Sequence, residues 1–231
     1  REKYEEQDGE SPAGGATTWE SASSSGTLAT AADFQTRSVA QRQADTPISV
    51  DTSKTEVARM ALDAGAEIIN DVTGLEGDSE MLSLAADTQA GVCVMHMQGS
   101  PQTMQDDPQY DDVIKEISGF FAEKVKRLTK FGVTEVILDP GFGFGKTLDH
   151  NYELLNRLDA FKVFQLPVMA GLSRKSMIWQ ALDITAEEAL NGTSITNTMA
   201  LLGGADILRV HDVKEAVEAV KIFCEIKASI K

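Results

Sequence analysis

From residue 47 to the end, the chain alternates six times between a short, mostly apolar run and a longer stretch carrying helix signals. This alternation restricts the fold more than any other feature. The runs are Ile48–Asp51, Glu67–Asp71, Val92–His96, Glu135–Asp139, Pro167–Gly171 and Asp206–Val210. Each is apolar on both faces, as parallel strands covered by helices require. Six units within residues 47–231 leave about 31 residues apiece, the size of a βα repeat. Alternating βα units imply a parallel sheet, open or closed into a barrel. No dinucleotide-type glycine fingerprint follows the first run, which favours the barrel. A complete barrel needs eight units in roughly 250 residues. The expected fold is therefore α/β, a TIM (β/α)8-type barrel that is incomplete, with six recognisable units.

The helices announce their ends. Ser53-Lys-Thr-Glu56 has the form of a capping box, and its helix is expected to place Val57, Met60, Ala61 and Ala64 on one face and to stop at Gly65. Residues 111–131 read as a longer helix with Val113, Ile114, Ile117, Phe121, Val125 and Leu128 inward, ended by Gly132. Asp212-x-x-Glu215 opens the last helix, with Val213, Val217, Val220, Phe223 and Ile226 as its apolar stripe.

Residues 1–46 differ in kind. They are rich in Ser, Thr, Ala, Gly, Gln and Glu, and their large apolar side chains show no sustained period of 2 or 3.6. Such a stretch cannot offset its ordering entropy by burial. The expectation is a low-complexity, disordered leader without strands, with a short helix near 29–42 as its only structure, followed by one barrel domain over residues 47–231. A formal net charge of -15 argues against a surface that coats nucleic acid. No apolar run approaches the ~20 residues of a membrane helix. The two cysteines, Cys93 and Cys224, sit in apolar settings and do not suggest a disulfide framework, so the protein reads as cytoplasmic.

What ends each strand carries the chemistry. In order these are Asp51, Asn70-Asp71, His96, Asp139, Ser173-Arg174-Lys175, and Arg209 with His211. In a parallel βα fold those ends converge on one face, where active sites form. Any one residue could be a cap or a solvated lysine; an ionisable set recurring at nearly every end points to a site. Lys175, Arg174, Arg209 and His211 reverse the sign of an acidic protein locally and suit an anion such as pyrophosphate, aided by the helix start at Ser173–Ser176. Asp51, Asn70 and Asp139 suit a neutral heterocycle rich in N–H donors. His96 reads as structural rather than catalytic. No clustered His/Cys spacing suggests zinc.

The loop Asp139-Pro-Gly-Phe-Gly-Phe-Gly-Lys146-Thr147 imitates a phosphate-binding P-loop and fails on spacing, because Pro140 stands where the first glycine should be. It reads instead as backbone that must approach a ligand closely, with Phe142 and Phe144 as aromatic walls.

Taken together, Ile48-Ser-Val-Asp-Thr-Ser53, Ile68-Ile-Asn-Asp71, Met95-His-Met-Gln-Gly99, Leu138-Asp-Pro-Gly-Phe-Gly-Phe-Gly-Lys146, Gly171-Leu-Ser-Arg-Lys-Ser176 and Arg209-Val-His-Asp212 resemble the dihydropteroate synthase family, the sulfonamide-inhibited transferases of folate biosynthesis. The resemblance implies condensation of 6-hydroxymethyl-7,8-dihydropterin pyrophosphate with 4-aminobenzoate. By the family pattern Asp51, Asn70 and Asp139 hydrogen-bond the pterin, with Met95 beside it. Lys175 joins the pterin edge to the aminobenzoate pocket, flanked by Gly171, Ser176 and Phe144, and Arg209 with His211 holds the pyrophosphate. Asp51, Asp139, Lys175, Arg209 and His211 are the expected catalytic set. The resemblance also implies magnesium on the pyrophosphate and a homodimer. The family's first two βα units, including its metal-contacting asparagine, have no counterpart here, so this chain is expected to bind pterin weakly and turn over slowly. A pterin-binding methyltransferase domain and a non-catalytic pterin-binding fragment are the alternatives.

Overall fold

In a computed structural model describing residues 16–18, 20–21, 47–100 and 102–229, all six apolar runs form parallel strands. Two short strands precede them, β1 (Ala16–Thr18) and β2 (Glu20–Ser21). The chain then runs β3 (Ile48–Asp51), α1 (Thr55–Asp63), β4 (Ile68–Asp71), α2 (Met81–Thr88), β5 (Gly91–Met95), α3 (Val113–Lys130), β6 (Val136–Asp139) and α4 (Leu148–Asn156). A 3₁₀ helix (Leu158–Phe164), β7 (Met169–Ala170), α5 (Ser176–Leu182), α6 (Leu190–Leu202), β8 (Ile207–Leu208) and α7 (Val213–Ser229) complete it. Strands β3 to β6 pair in sequence order, a bridge from Leu138 to Val168 carries the order to β7, and β7 pairs with β8. Sequential parallel pairing with helical crossovers is the barrel connectivity that the alternation implies.

The two outer edges of this array do not stand open. β1 lies antiparallel on β3 (Ala16↔Val50, Thr18↔Ile48), and β2 lies antiparallel on β8 (Glu20↔Leu208, Ser21↔Ile207). One stretch of chain thus touches both rims of the gap. The expectation of no strand in residues 1–46 is corrected at these five residues. The physical reason is that unpaired edges recruit any extended backbone, whatever its hydrophobic pattern. The helix expected near 29–42 lies outside the described residues.

Strand period divides the work. Val50, Ile69, Val92, Val94, Leu138, Val168, Ala170 and Leu208 face the helices, and all but Val50 belong to the main core cluster. Their neighbours Ile68, Cys93, Ile137, Met169 and Ile207 form a separate apolar layer inside the ring. One step further along the same inner row stand Asp51, Asn70, Met95, Asp139, Gly171 and Arg209.

Helix α3 follows its pattern closely. Asp112 caps it by accepting from the Lys115 N–H at 2.9 Å. Val113, Ile114, Ile117, Phe121 and Leu128 are buried, and Phe121 meets Phe161 edge-on at 5.4 Å. Val125 is only half-buried, and Lys124 is buried instead, with its ammonium on the Gly74 carbonyl and Glu76. Two helix expectations are corrected. The capping box at Ser53 does not form: α1 begins after Lys54, and the Thr55 N–H is taken by the Asp78 carboxylate at 3.0 Å. Its inner face is Thr55 and Ala58, leaving Met60 67% exposed. In α7 only Ala216 is fully buried, Val220 and Phe223 pack at the core's margin, and Ile226 is exposed. Among the described residues, no helix is long and apolar enough to cross a membrane.

Candidate functional site

The inner row meets at the carboxyl ends of the strands. Asp51 and Asn70 are register partners on β3 and β4, and the Asn70 amide donates to Asp51 Oδ2 at 2.9 Å. Asn70 Oδ1 is buried and has no hydrogen-bond partner among the described residues. Met95 and Asp139 are register partners on β5 and β6, both buried. Asp139 Oδ1 accepts from the Gly141 N–H at 2.8 Å, while Asp139 Oδ2, also buried, makes no hydrogen bond among the described residues and lies 3.6 Å from an Arg209 nitrogen. Arg209 reaches Asp139 across β7 because position 171 is glycine: a Cβ there would stand 3.2 Å from two guanidinium nitrogens. Beneath this ring is a small hollow lined by Asn70, Cys93, Met169 and Arg209 among others. Burial raises the Asp51 carboxyl above its ordinary value, and Arg209 opposes that rise.

Lys175 leans over the mouth from the start of α5. Its ammonium donates to the Phe142 carbonyl and stands 4.7 Å from the centre of the Phe144 ring. Burial lowers it to about 8, against the opposing pull of Asp139. The preceding residue, Arg174, has a left-handed backbone with φ 54°, unusual for a side chain with a Cβ and a form of local strain that occurs at functional sites. Its guanidinium clasps both carboxylate oxygens of Asp212 at 2.8 and 2.9 Å and also bonds the carbonyls of Ala186 and Glu187. Arg174 is thus removed from the anion-binding cations expected from sequence: it fastens the β7–α5 turn to the start of α7. Asp212 spends its carboxylate on that clasp.

Ser173 stands out in the sequence only as part of its motif, yet it holds His211. Its hydroxyl lies 3.0 Å from His211 Nδ1 and accepts from the His211 N–H at 3.2 Å. His211 itself is exposed at the rim. Ser176 opens α5, half-buried, next to Lys175. Asp71 is fully buried but belongs to the opposite face of β4, where it accepts from the N–H and hydroxyl of Thr73. His96 is buried, with its Nδ1 3.1 Å from the Lys146 ammonium. Burial and the neighbouring Lys146 ammonium pull it down to about 3, and its ring packs edge-on to Phe120 at 5.0 Å.

Among the described residues, no three His, Cys, Asp or Glu side chains come together to hold a metal ion. Asp51 Oδ2 is taken by the Asn70 amide and Asp139 Oδ1 by the Gly141 N–H, and no third such side chain joins them among the described residues, so the donors present do not fit a protein-held magnesium.

The family model described as pterin binding enzyme matches residues 36–211. Dihydropteroate synthase of Escherichia coli strain K12 is 50% identical over 177 residues, which are 76% of this chain and 62% of that protein. A crystal structure of Yersinia pestis dihydropteroate synthase with a sulfonamide drug complex superposes with a TM-score of 0.79 at 43% identity, covering 81% of this chain and 69% of the other. Dihydropteroate synthase from Thermus thermophilus in complex with 4-aminobenzoate gives 0.75 at 42%, covering 78% and 70%. The chain spans 62% of the length of the Escherichia coli protein.

Proposed function

The chain belongs to the pterin binding enzyme family, and from that footing we propose that its site is that of a dihydropteroate synthase, a transferase of folate biosynthesis. The reaction joins 6-hydroxymethyl-7,8-dihydropterin pyrophosphate to 4-aminobenzoate, giving 7,8-dihydropteroate and pyrophosphate. The observation that carries this reading is the pair of buried acceptors without partners, Asn70 Oδ1 and Asp139 Oδ2, in one ring with Asp51 and Arg209. Buried polar atoms are rarely left unpaired, so a ligand bringing donors is the natural complement. A pterin has such donors along one edge.

The chemistry follows from the charges. The C–O bond between the pterin methylene and pyrophosphate breaks, and its electron pair leaves with the pyrophosphate. Arg209, in the ring beside Asp139, and His211, at the rim, stabilise that departing charge. Asp51 and Asp139 stabilise the positive charge left on the pterin. The lone pair of the aniline nitrogen then forms the new C–N bond, and the amine releases one proton. Lys175 orients the incoming ring with Phe144 and Ser176, and Met95 packs beside the pterin. No step is routed through a metal, since the donor set does not fit one.

Release of pyrophosphate that requires both substrates, followed with a coupled phosphate assay, tests the reading. Turnover is expected to fall as pH rises through about 8, because Lys175 then loses its proton. Saturable pterin binding with no pyrophosphate release would overturn the synthase assignment in favour of a pterin-binding domain without turnover. The same proposal includes a barrel unit at residues 47–231 after a leader, and a cytoplasmic homodimer. Ile195, Met199 and Leu202 project from α6 at 53%, 51% and 62% exposure, and a second copy would cover them. Sedimentation equilibrium and cell fractionation check the two latter points.

A further inference from the structure

The glycine-rich loop 139–147 should be hard to fix. Gly141, Gly143 and Gly145 all have positive φ, at 68°, 81° and 59°, in a segment with the backbone freedom of glycine. Two lysines engage it through different groups. Lys175 meets the Phe142 carbonyl and the Phe144 ring, at the mouth. Lys146, almost wholly buried, donates to the Gly141 carbonyl at 2.9 Å, the Phe144 carbonyl at 3.0 Å and His96 Nδ1 at 3.1 Å.

Those three bonds use every donor an ammonium has, so none is left for a ligand. All three acceptors are uncharged, and a buried lysine with no direct carboxylate partner among the described residues is otherwise an expensive residue to keep. The bonds tie the two halves of the loop to each other and to the end of β5. Phe142 lies between the two tied carbonyls, and Phe144 carries one of them. The groups that Lys175 meets are therefore held in place from within the loop.

We propose that Lys146 is a positioning residue for the aromatic amine: by fixing the Gly141 and Phe144 carbonyls it makes the loop present the Phe142 carbonyl and the Phe144 ring to Lys175, and so shapes the aminobenzoate side of the mouth without touching it. This rests on the synthase reading above. It separates the two substrates, because Asp51, Asn70 and Arg209 of the pterin side lie on other strands, and Asp139, where the loop begins, is held by its own bond from the Gly141 N–H.

The test is calorimetric titration of the full chain and of Lys146→Met and Lys146→Arg. Each is titrated with 6-hydroxymethylpterin, and then with 4-aminobenzoate in the presence of that pterin and inorganic pyrophosphate. In Lys146→Met the Kd for 4-aminobenzoate is expected to rise at least tenfold and that for the pterin by less than threefold, with Lys146→Arg recovering part of the loss. A smaller rise for the amine, or a pterin loss of threefold or more, overturns the proposal. So does failure of both variants to fold by far-UV circular dichroism, since Lys146 then holds the fold rather than the pocket. An unmodified chain that binds pterin but no 4-aminobenzoate defeats the synthase reading itself and takes the proposal with it.

Discussion

Asp139→Asn is expected to raise the Kd for pterin roughly 100-fold while leaving the fold intact. The side chain keeps its shape, but one of two acceptor oxygens becomes a donor. Either the Gly141 N–H, now 2.8 Å from Oδ1, or the pterin edge must then face an NH2 group. Hydrogen bonds to a charged group contribute about 1.5–3 kcal/mol each, and leaving a buried donor unpaired costs a further ~1–3 kcal/mol. A net loss of about 3 kcal/mol corresponds to two decades of affinity. Arg209 also loses the carboxylate 3.6 Å away. Quenching of pterin fluorescence on titration measures the effect. Asp71→Asn is the matched control: that carboxylate is as deeply buried but faces the helices, so pterin affinity should change by less than threefold. Equal losses in the two variants would show that burial alone, not membership of the inner row, decides the outcome.

The second large effect is on folding. Gly141→Ala is expected to destabilise the chain by roughly 2–5 kcal/mol, combining ~1–2 kcal/mol for a left-handed backbone with ~1–3 kcal/mol for overpacking. The added Cβ would penetrate the carbonyl oxygen of His96, which is backbone and cannot swing aside. Gly145 is under similar pressure, with a Cβ 2.5 Å from the Gln98 carbonyl oxygen. The loop lies directly on the chain that leaves β5, and this contact explains why these positions carry no side chain. Urea unfolding followed by circular dichroism gives the value, and a midpoint unchanged from the unsubstituted chain would refute the steric argument.

Much of this is legible in the sequence because strand ends and helix stripes are local patterns. The run Ile48–Asp51 matches β3 residue for residue, and the stripe from Val113 to Leu128 differs only where Lys124 replaces Val125 inside. Asp51, Asn70, Asp139 and Arg209 converge because parallel strands bring their ends together, which the alternation already requires. What stays hidden depends on contacts between distant segments. The capping box at Ser53 loses to a carboxylate 23 residues beyond the Thr55 N–H it bonds. Arg174 reads as a free cation until Asp212, 38 residues away, is seen to hold it. Lys146 looks like part of a failed phosphate loop, since nothing in its neighbourhood says that His96, 50 residues earlier, will accept from it. The edge-pairing strands at 16–18 and 20–21 are invisible because backbone pairing needs no periodic side chains.

Because inside and outside alternate residue by residue along each strand, adjacent letters of the sequence answer to different selective demands. Asn70 faces the inner row and Asp71 closes a turn on the other face, though they share a peptide bond. Gain or loss of one residue within β4 or β6 would exchange those duties wholesale, delivering core side chains to the mouth and polar ones to the helices. Changes of length are therefore tolerable only in the connecting loops, while the strands can drift only by substitution.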